Sequence, residues 1–128
     1  MKFQPDQLDG VNVITAFDPE GVRVNAARHA SSVLVPWRGD VQVWRCTTFE
    51  ELDAGHFDQV LALKPELVIF GSGRRLRFPA AALLKALIAE RIGVETMDTG
   101  AACRTYNVLA AEGRAVVAAL LVEGPAGR

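Results

Sequence analysis

Hydrophobic and polar positions change rhythm along this chain, and each rhythm predicts a different element. Val11, Val13 and Thr15 alternate with Asn12, Ile14 and Ala16, a period of two that predicts a strand. Asp18-Pro19-Glu20-Gly21 reads as a turn, and Val22-Arg23-Val24-Asn25 resumes the alternation, so the two segments pair as a hairpin. Ser32-Val33-Leu34-Val35 is a third short strand, stopped by Pro36, which has no amide to give a ladder. After a loop at Trp37-Arg38-Gly39-Asp40, Val41, Val43 and Arg45 alternate with Gln42 and Trp44 in a fourth. The N-terminal part therefore reads as a small, mostly antiparallel β unit.

From Thr48 the period lengthens. Thr48-Phe49-Glu50-Glu51 fits a capping box, and a short helix should follow with Phe57, Val60, Leu61 and Leu63 inward, unless Gly55 breaks it. Leu67-Val68-Ile69-Phe70 is apolar without alternation, the pattern of a strand buried on both faces. Pro79 suits the first position of a helix whose face is Leu83, Leu84, Leu87, Ile88 and Ile92, with Gly93 as terminator. Val94-Glu95-Thr96-Met97 is the next strand. Asp98 or Thr99 then caps a helix running to Glu112, with Cys103, Tyr106, Leu109 and Ala110 inward and Gly113 as its stop. The apolar run 116–122 is a final strand. Strands and helices that alternate in this way predict an α/β layer with a partly parallel sheet.

Composition narrows the function classes. In 128 residues, half of them hydrophobic, a formal net charge of −1 gives no electrostatic reason to bind nucleic acid. The chain reads as a single domain over residues 1–128, with an ordered core of about 8–122 and a short tail, 123–128. Residues 1–10 hold no apolar run, which argues against a signal or transit peptide, and no stretch is long enough to span a membrane. Cys46 and Cys103 read as reduced core thiols, and the expected location is cytoplasmic.

No constellation for bond-breaking chemistry is complete. Phe70-Gly71-Ser72-Gly73-Arg74-Arg75 lies at a strand end, where α/β folds favour ligands, but a dinucleotide fingerprint would need another glycine near Leu76. Ser72 lacks the flanking glycines of a nucleophile elbow. His29 and His56 have no partners at metal-ligand spacing, so no metal or cofactor is expected, and both histidines read as surface residues. Glu50, Glu51 and Asp53 read as capping and solvated charge. A helix start would lower the pKa of Cys103, yet its alanine neighbours favour burial. The remaining feature is the basic loop Arg74, Arg75 and Arg77, bracketed by Leu76 and Phe78: either a docking surface or ordinary solubility charge.

Val68-Ile69-Phe70-Gly71-Ser72-Gly73, Arg77-Phe78-Pro79, Gly93-Val94-Glu95-Thr96-Met97-Asp98-Thr99 and, above all, Ala101-Ala102-Cys103-Arg104-Thr105-Tyr106-Asn107-Val108-Leu109 with Glu112-Gly113-Arg114 carry a family likeness. In these segments the chain closely resembles the adipogenesis-associated Mth-domain family, small domains of unknown function that include the third alpha-subcomplex assembly factor of mitochondrial respiratory complex I. The likeness covers roughly residues 10–122; Ser72 departs from it, many relatives carrying Thr there. It implies a three-layer fold with a central mixed sheet, small β elements on one side and helices on the other. It marks Asp98, Thr99, Thr105, Tyr106 and Asn107 as family positions and brings no established enzymatic activity. Those groups would either bridge the helix start to the Gly71-Ser72-Gly73 turn or, with Arg104, ring a shallow pocket there.

The expected function is a non-enzymatic protein-binding module, assembly-factor-like, meeting an unidentified protein through Arg74, Arg75, Arg77 and Phe78, as a monomer or small homo-oligomer. The alternative is a small anion or nucleotide site, or an enzyme site, built from Gly71, Ser72, Gly73, Arg74, Asp98 and Arg104.

Overall fold

The computed structural model describes residues 9–124. Residues 1–8 and 125–128, with most of the stretch weighed as a leader and most of the expected tail, lie outside the described residues.

Two sheets form. Strands β1 (Ile14–Asp18), β2 (Gly21–Val24) and β3 (Ala27–His29) make a three-stranded antiparallel sheet in that order. Its first hairpin closes with Asp18 opposite Gly21, as the turn residues predict, and the Asp18 carboxylate accepts from the Glu20 amide at 2.8 Å. The strand β3 was not legible: Ala27-Arg28-His29 has no buried side chain to leave an alternating pattern.

The second sheet holds β4 (Val33–Val35), β5 (Gln42–Val43), β6 (Leu67–Gly71), β7 (Gly93–Met97) and β8 (Val116–Leu120), in the order β5-β4-β8-β6-β7. It is mixed: β6 runs parallel to β7 and β8, whereas β4 runs antiparallel to β5 and β8. The four predicted N-terminal strands are therefore not one unit. All three residues of β4 are buried, so it needs cover on both faces and finds it in the C-terminal sheet. The predicted fourth strand shrinks to Gln42–Val43; Trp44 and Cys46 turn inward and Val43 faces solvent.

The helices cover both faces, which refines the expected helices-on-one-side arrangement. From β6 the chain crosses to β7 in one direction along the sheet, and from β7 back past β6 to β8 in the other. Right-handed crossovers in opposite directions put their helices on opposite faces. On one face, α1 (Ala54–Leu61) and α2 (Lys85–Ala89) pack Phe57, Val60 and Leu87 against Trp44, Val68, Phe70 and Val117. On the other, α3 (Thr99–Ala111) packs Ala102, Tyr106 and Ala110 against Ile69 and Ala118, and Val22 and Val24 of the small sheet join that cluster.

Two helix starts differ from expectation. Thr48 to Glu51 makes only a 3-10 turn, Phe49–Glu51, with the Glu51 carboxylate reaching back to the Thr47 amide at 2.7 Å. The helix begins one cap later. Asp53 accepts from the His56 amide at 3.2 Å, the Asp53 amide donates to His56 Nδ1 at 3.0 Å, and Gly55 rides inside the first turn without breaking it. His56 is thus a capping residue packed edge-on to Trp44 rather than a surface one. The helix predicted from Pro79 is a 3-10 turn, Ala81–Leu84, followed by the five residues of α2. Ala80 offers no side-chain cap, and Ile88, one residue past buried Leu87, turns to solvent. Arg91, at φ 62°, ends it, so Gly93 opens β7 instead of terminating a helix.

Candidate functional site

The fully buried strand β6 ends where α3 begins, and the two are stitched together. The Ser72 amide donates to the Met97 carbonyl at 2.8 Å, and the Thr99 amide donates to the Gly73 carbonyl at 2.9 Å. Thr99 Oγ1 accepts from the Gly73 amide at 2.9 Å and donates to the Leu121 carbonyl at 2.7 Å. Asp98, as N-cap, accepts from the Ala101 amide at 2.9 Å. The helix lies so close that a Cβ on Gly71 would stand 2.9 Å from the Thr99 Cα and 3.1 Å from the Ala102 Cβ. Connections leave the neighbouring strands β6 and β7 toward opposite faces, the place where open α/β sheets usually hold their ligands. Here Thr99 and the protein's own backbone hydrogen-bond to one another across that crevice, and a cleft stays open beside them.

Beyond Gly73 the chain makes the loop from Arg74 to Ala80. Ser72, fully buried, organises it: its hydroxyl donates to the Arg75 carbonyl at 2.8 Å, with the Met97 carbonyl at 3.2 Å as the alternative acceptor, and accepts from the Arg77 amide at 3.0 Å. Glu123 holds the other side, accepting from the Arg74 amide at 2.9 Å and pairing with the Arg77 guanidinium. Burial pushes the Glu123 carboxyl up, but the Arg74 amide and Arg77 outweigh it and keep it below the ordinary carboxylate range. Arg77 also donates to the Ser72 carbonyl at 2.7 Å and lies 5.0 Å from the Phe49 ring centre. Arg77 is therefore an internal brace. Arg74 and Arg75 are exposed, and Leu76 and Phe78 are 52% and 70% exposed.

The sequence-derived ligand set is partly gathered. Gly73, Arg74 and Asp98 line a cleft of about 160 Å³ with Phe17, Pro19 and Glu123. Gly71 and Ser72 are buried behind it, and Arg104 lines a separate depression beside Ile14 and Asn107. The family positions divide as well. Thr99 bridges the helix start to the turn, as one expectation had it, whereas Asp98 only caps the helix. Tyr106 and Asn107 serve the N-terminal segment: the Tyr106 hydroxyl sits 3.0 Å from the carbonyls of both Asn12 and Pro36, while Asn107 Oδ1 accepts from the Ile14 amide at 2.9 Å and Asn107 Nδ2 donates to the Ile14 carbonyl at 2.7 Å. Thr105 has no side-chain hydrogen bond among the described residues. Glu123 and Phe49 were missed; each meets Arg77 only through the tertiary fold, and no local pattern announces them.

Cys46 and Cys103 are buried, free thiols. Burial pushes each up to about 12, with Glu51 adding to the shift at Cys46 and Arg104 opposing it at Cys103. At neutral pH both stay protonated and unreactive. Among the described residues no group of three or more His, Cys, Asp or Glu side chains is placed to hold a metal ion.

Residues 14–121 match the family described as protein of unknown function (DUF498/DUF598). The chain is a member of that family. This DUF498/DUF598 chain is 32% identical over 117 residues to the bovine NADH dehydrogenase (ubiquinone) 1 alpha subcomplex assembly factor 3, a match spanning 89% of the chain and 62% of that relative. It is 30% identical over 67 residues to the 13 kDa major membrane protein of Francisella tularensis, covering 52% of the chain and 54% of the relative. Among solved structures it resembles a Mth938-like domain from Bordetella pertussis, with a TM-score of 0.84, 31% identity, and 97% and 94% of the two chains covered.

Proposed function

We propose that this DUF498/DUF598 protein is a non-enzymatic, assembly-factor-like module that binds a protein partner through the loop bearing Arg74, Arg75, Leu76 and Phe78. One observation carries the reading: two large apolar side chains, Leu76 and Phe78, stand in solvent beside the exposed Arg74 and Arg75 on a loop whose backbone is held firmly. Aromatic side chains and arginine, the types of Phe78, Arg74 and Arg75, are enriched at interfaces. The same geometry weakens the alternative of a small-ligand or enzyme site. The Ser72 hydroxyl, the Thr99 hydroxyl and the Glu123 carboxylate are all spent on internal hydrogen bonds. The bovine relative's name as an assembly factor agrees with a binding role.

Cytoplasmic residence belongs to the same proposal. Among the described residues no helix is long and apolar enough to cross a membrane, and one relative is named a major membrane protein, so fractionation tests the location. The docking reading is tested with a photo-crosslinking residue at Phe78 and, as control, at exposed Val108 on α3. A discrete protein adduct from position 78 and none from 108 is the expected result. No adduct at 78, or equal adducts at both, refutes it.

A further inference from the structure

The loop of the proposed function also constrains what it binds, and the following inference rests on that reading. We infer that the segment docking on Arg74, Arg75, Leu76 and Phe78 is acidic and apolar together: carboxylates for the two guanidinium groups, aliphatic or aromatic side chains for Leu76 and Phe78. Glu123, beside the loop, is already engaged by the Arg74 amide and the Arg77 guanidinium. Arg74 and Arg75 form no salt bridge among the described residues, so their exposed guanidinium groups can take a partner's carboxylates. Both cations are arginine, whose planar fork takes a carboxylate through two parallel hydrogen bonds.

Arg77 turns inward onto Phe49 and Glu123, which leaves Leu76 and Phe78 turned outward on either side of it. The main chain is fixed at the Arg74 amide, the Arg75 carbonyl and the Arg77 amide. A loop already held in one conformation loses little entropy on binding, which favours a specific polypeptide. It also speaks against a lipid surface, whose recognition uses clusters of about four to eight basic residues and needs no fixed loop.

The test uses the full chain and three synthetic fluorescent peptides of equal length: Glu alternating with Leu and Trp, the same peptide with Lys for Glu, and the same with Ser for Glu. Fluorescence anisotropy should show the Glu peptide binding about tenfold or more tightly than the other two. The double variant Arg74→Glu with Arg75→Glu should lose at least that factor for the Glu peptide, and circular dichroism should show that the chain stays folded. Phe78→Ser should weaken all three alike. Equal binding of the Lys or Ser peptide, binding of none, or retention on phosphatidylserine vesicles instead overturns the inference. Failure here is distinct from failure of the docking reading: a protein adduct at position 78 whose sequence is basic or neutral overturns only the acidic partner, whereas no adduct overturns docking itself.

Discussion

Tyr106 joins parts of the chain that lie far apart in sequence. Its hydroxyl reaches the Asn12 carbonyl, 94 positions away, and the Pro36 carbonyl, 70 away, inside a buried cluster. Tyr106→Phe removes the donor and leaves the buried Asn12 carbonyl unpaired, while the Pro36 carbonyl keeps the Asn12 side-chain amide at 2.8 Å; the change should cost about 1–3 kcal/mol, read as a lower urea midpoint at constant slope. At Gly71 the limit is space. Gly71→Ala drives a methyl into Thr99 and Ala102, and overpacking of that kind should cost about 1–3 kcal/mol in the same measurement. The sequence shows that Tyr106 is inward and that Asn107, a poor helix former, wants a partner. It cannot show that the partner is Ile14, because a hydrogen bond across 93 residues leaves no periodic trace. Ser72 is the opposite case: the turn is visible, but whether its hydroxyl faces a ligand or its own loop depends on where Arg75 and Arg77 fall.

At the scale of elements, the small sheet hangs on α3. Asn107 clasps both polar groups of Ile14 as a neighbouring strand would, and β1 packs along the helix. Asn107→Ala should therefore speed amide exchange in β1 and β2 while β6 and β8 keep their protection. The loop after β6 depends likewise on Glu123, whose side chain is 17% exposed. Its carboxyl titrates below the ordinary range in the folded chain, so its contribution is fully present above about pH 4.5 and is lost as pH falls through the depressed folded value. Glu123→Gln should cost about 2 kcal/mol at pH 7 and progressively less below pH 4.5, followed by melting curves across pH. Long elements with one strong pattern, β6 and α3, were legible. The helix after Pro79 was not, because its apolar residues fit a helical face while Ala80 supplies no cap to start one.

For the whole molecule, the alternation of strands and helices in the C-terminal half predicted a partly parallel sheet, and the family likeness supplied its mixed character. Neither placed β4 beside β8, since antiparallel pairing between distant strands is written only in both being buried. The central strands β6 and β8 contribute side chains to the apolar clusters on both faces. Trp44 belongs to one cluster and Trp37 packs against the other, so they report on the faces separately. Trp37→Phe and Trp44→Phe variants, each leaving one fluorophore, should give coincident urea transitions that match circular dichroism. Separate midpoints would mean the faces unfold independently.

The order β5-β4-β8-β6-β7 has a consequence for biosynthesis. The strand at the middle of the large sheet is the last of its five to leave the ribosome, so β4 and β6 both wait with bare ladder edges until residues 116–120 emerge. A nascent polypeptide stalled or cut before Val116 would offer those edges to any neighbour, which makes it a chaperone client and a seed for aggregates.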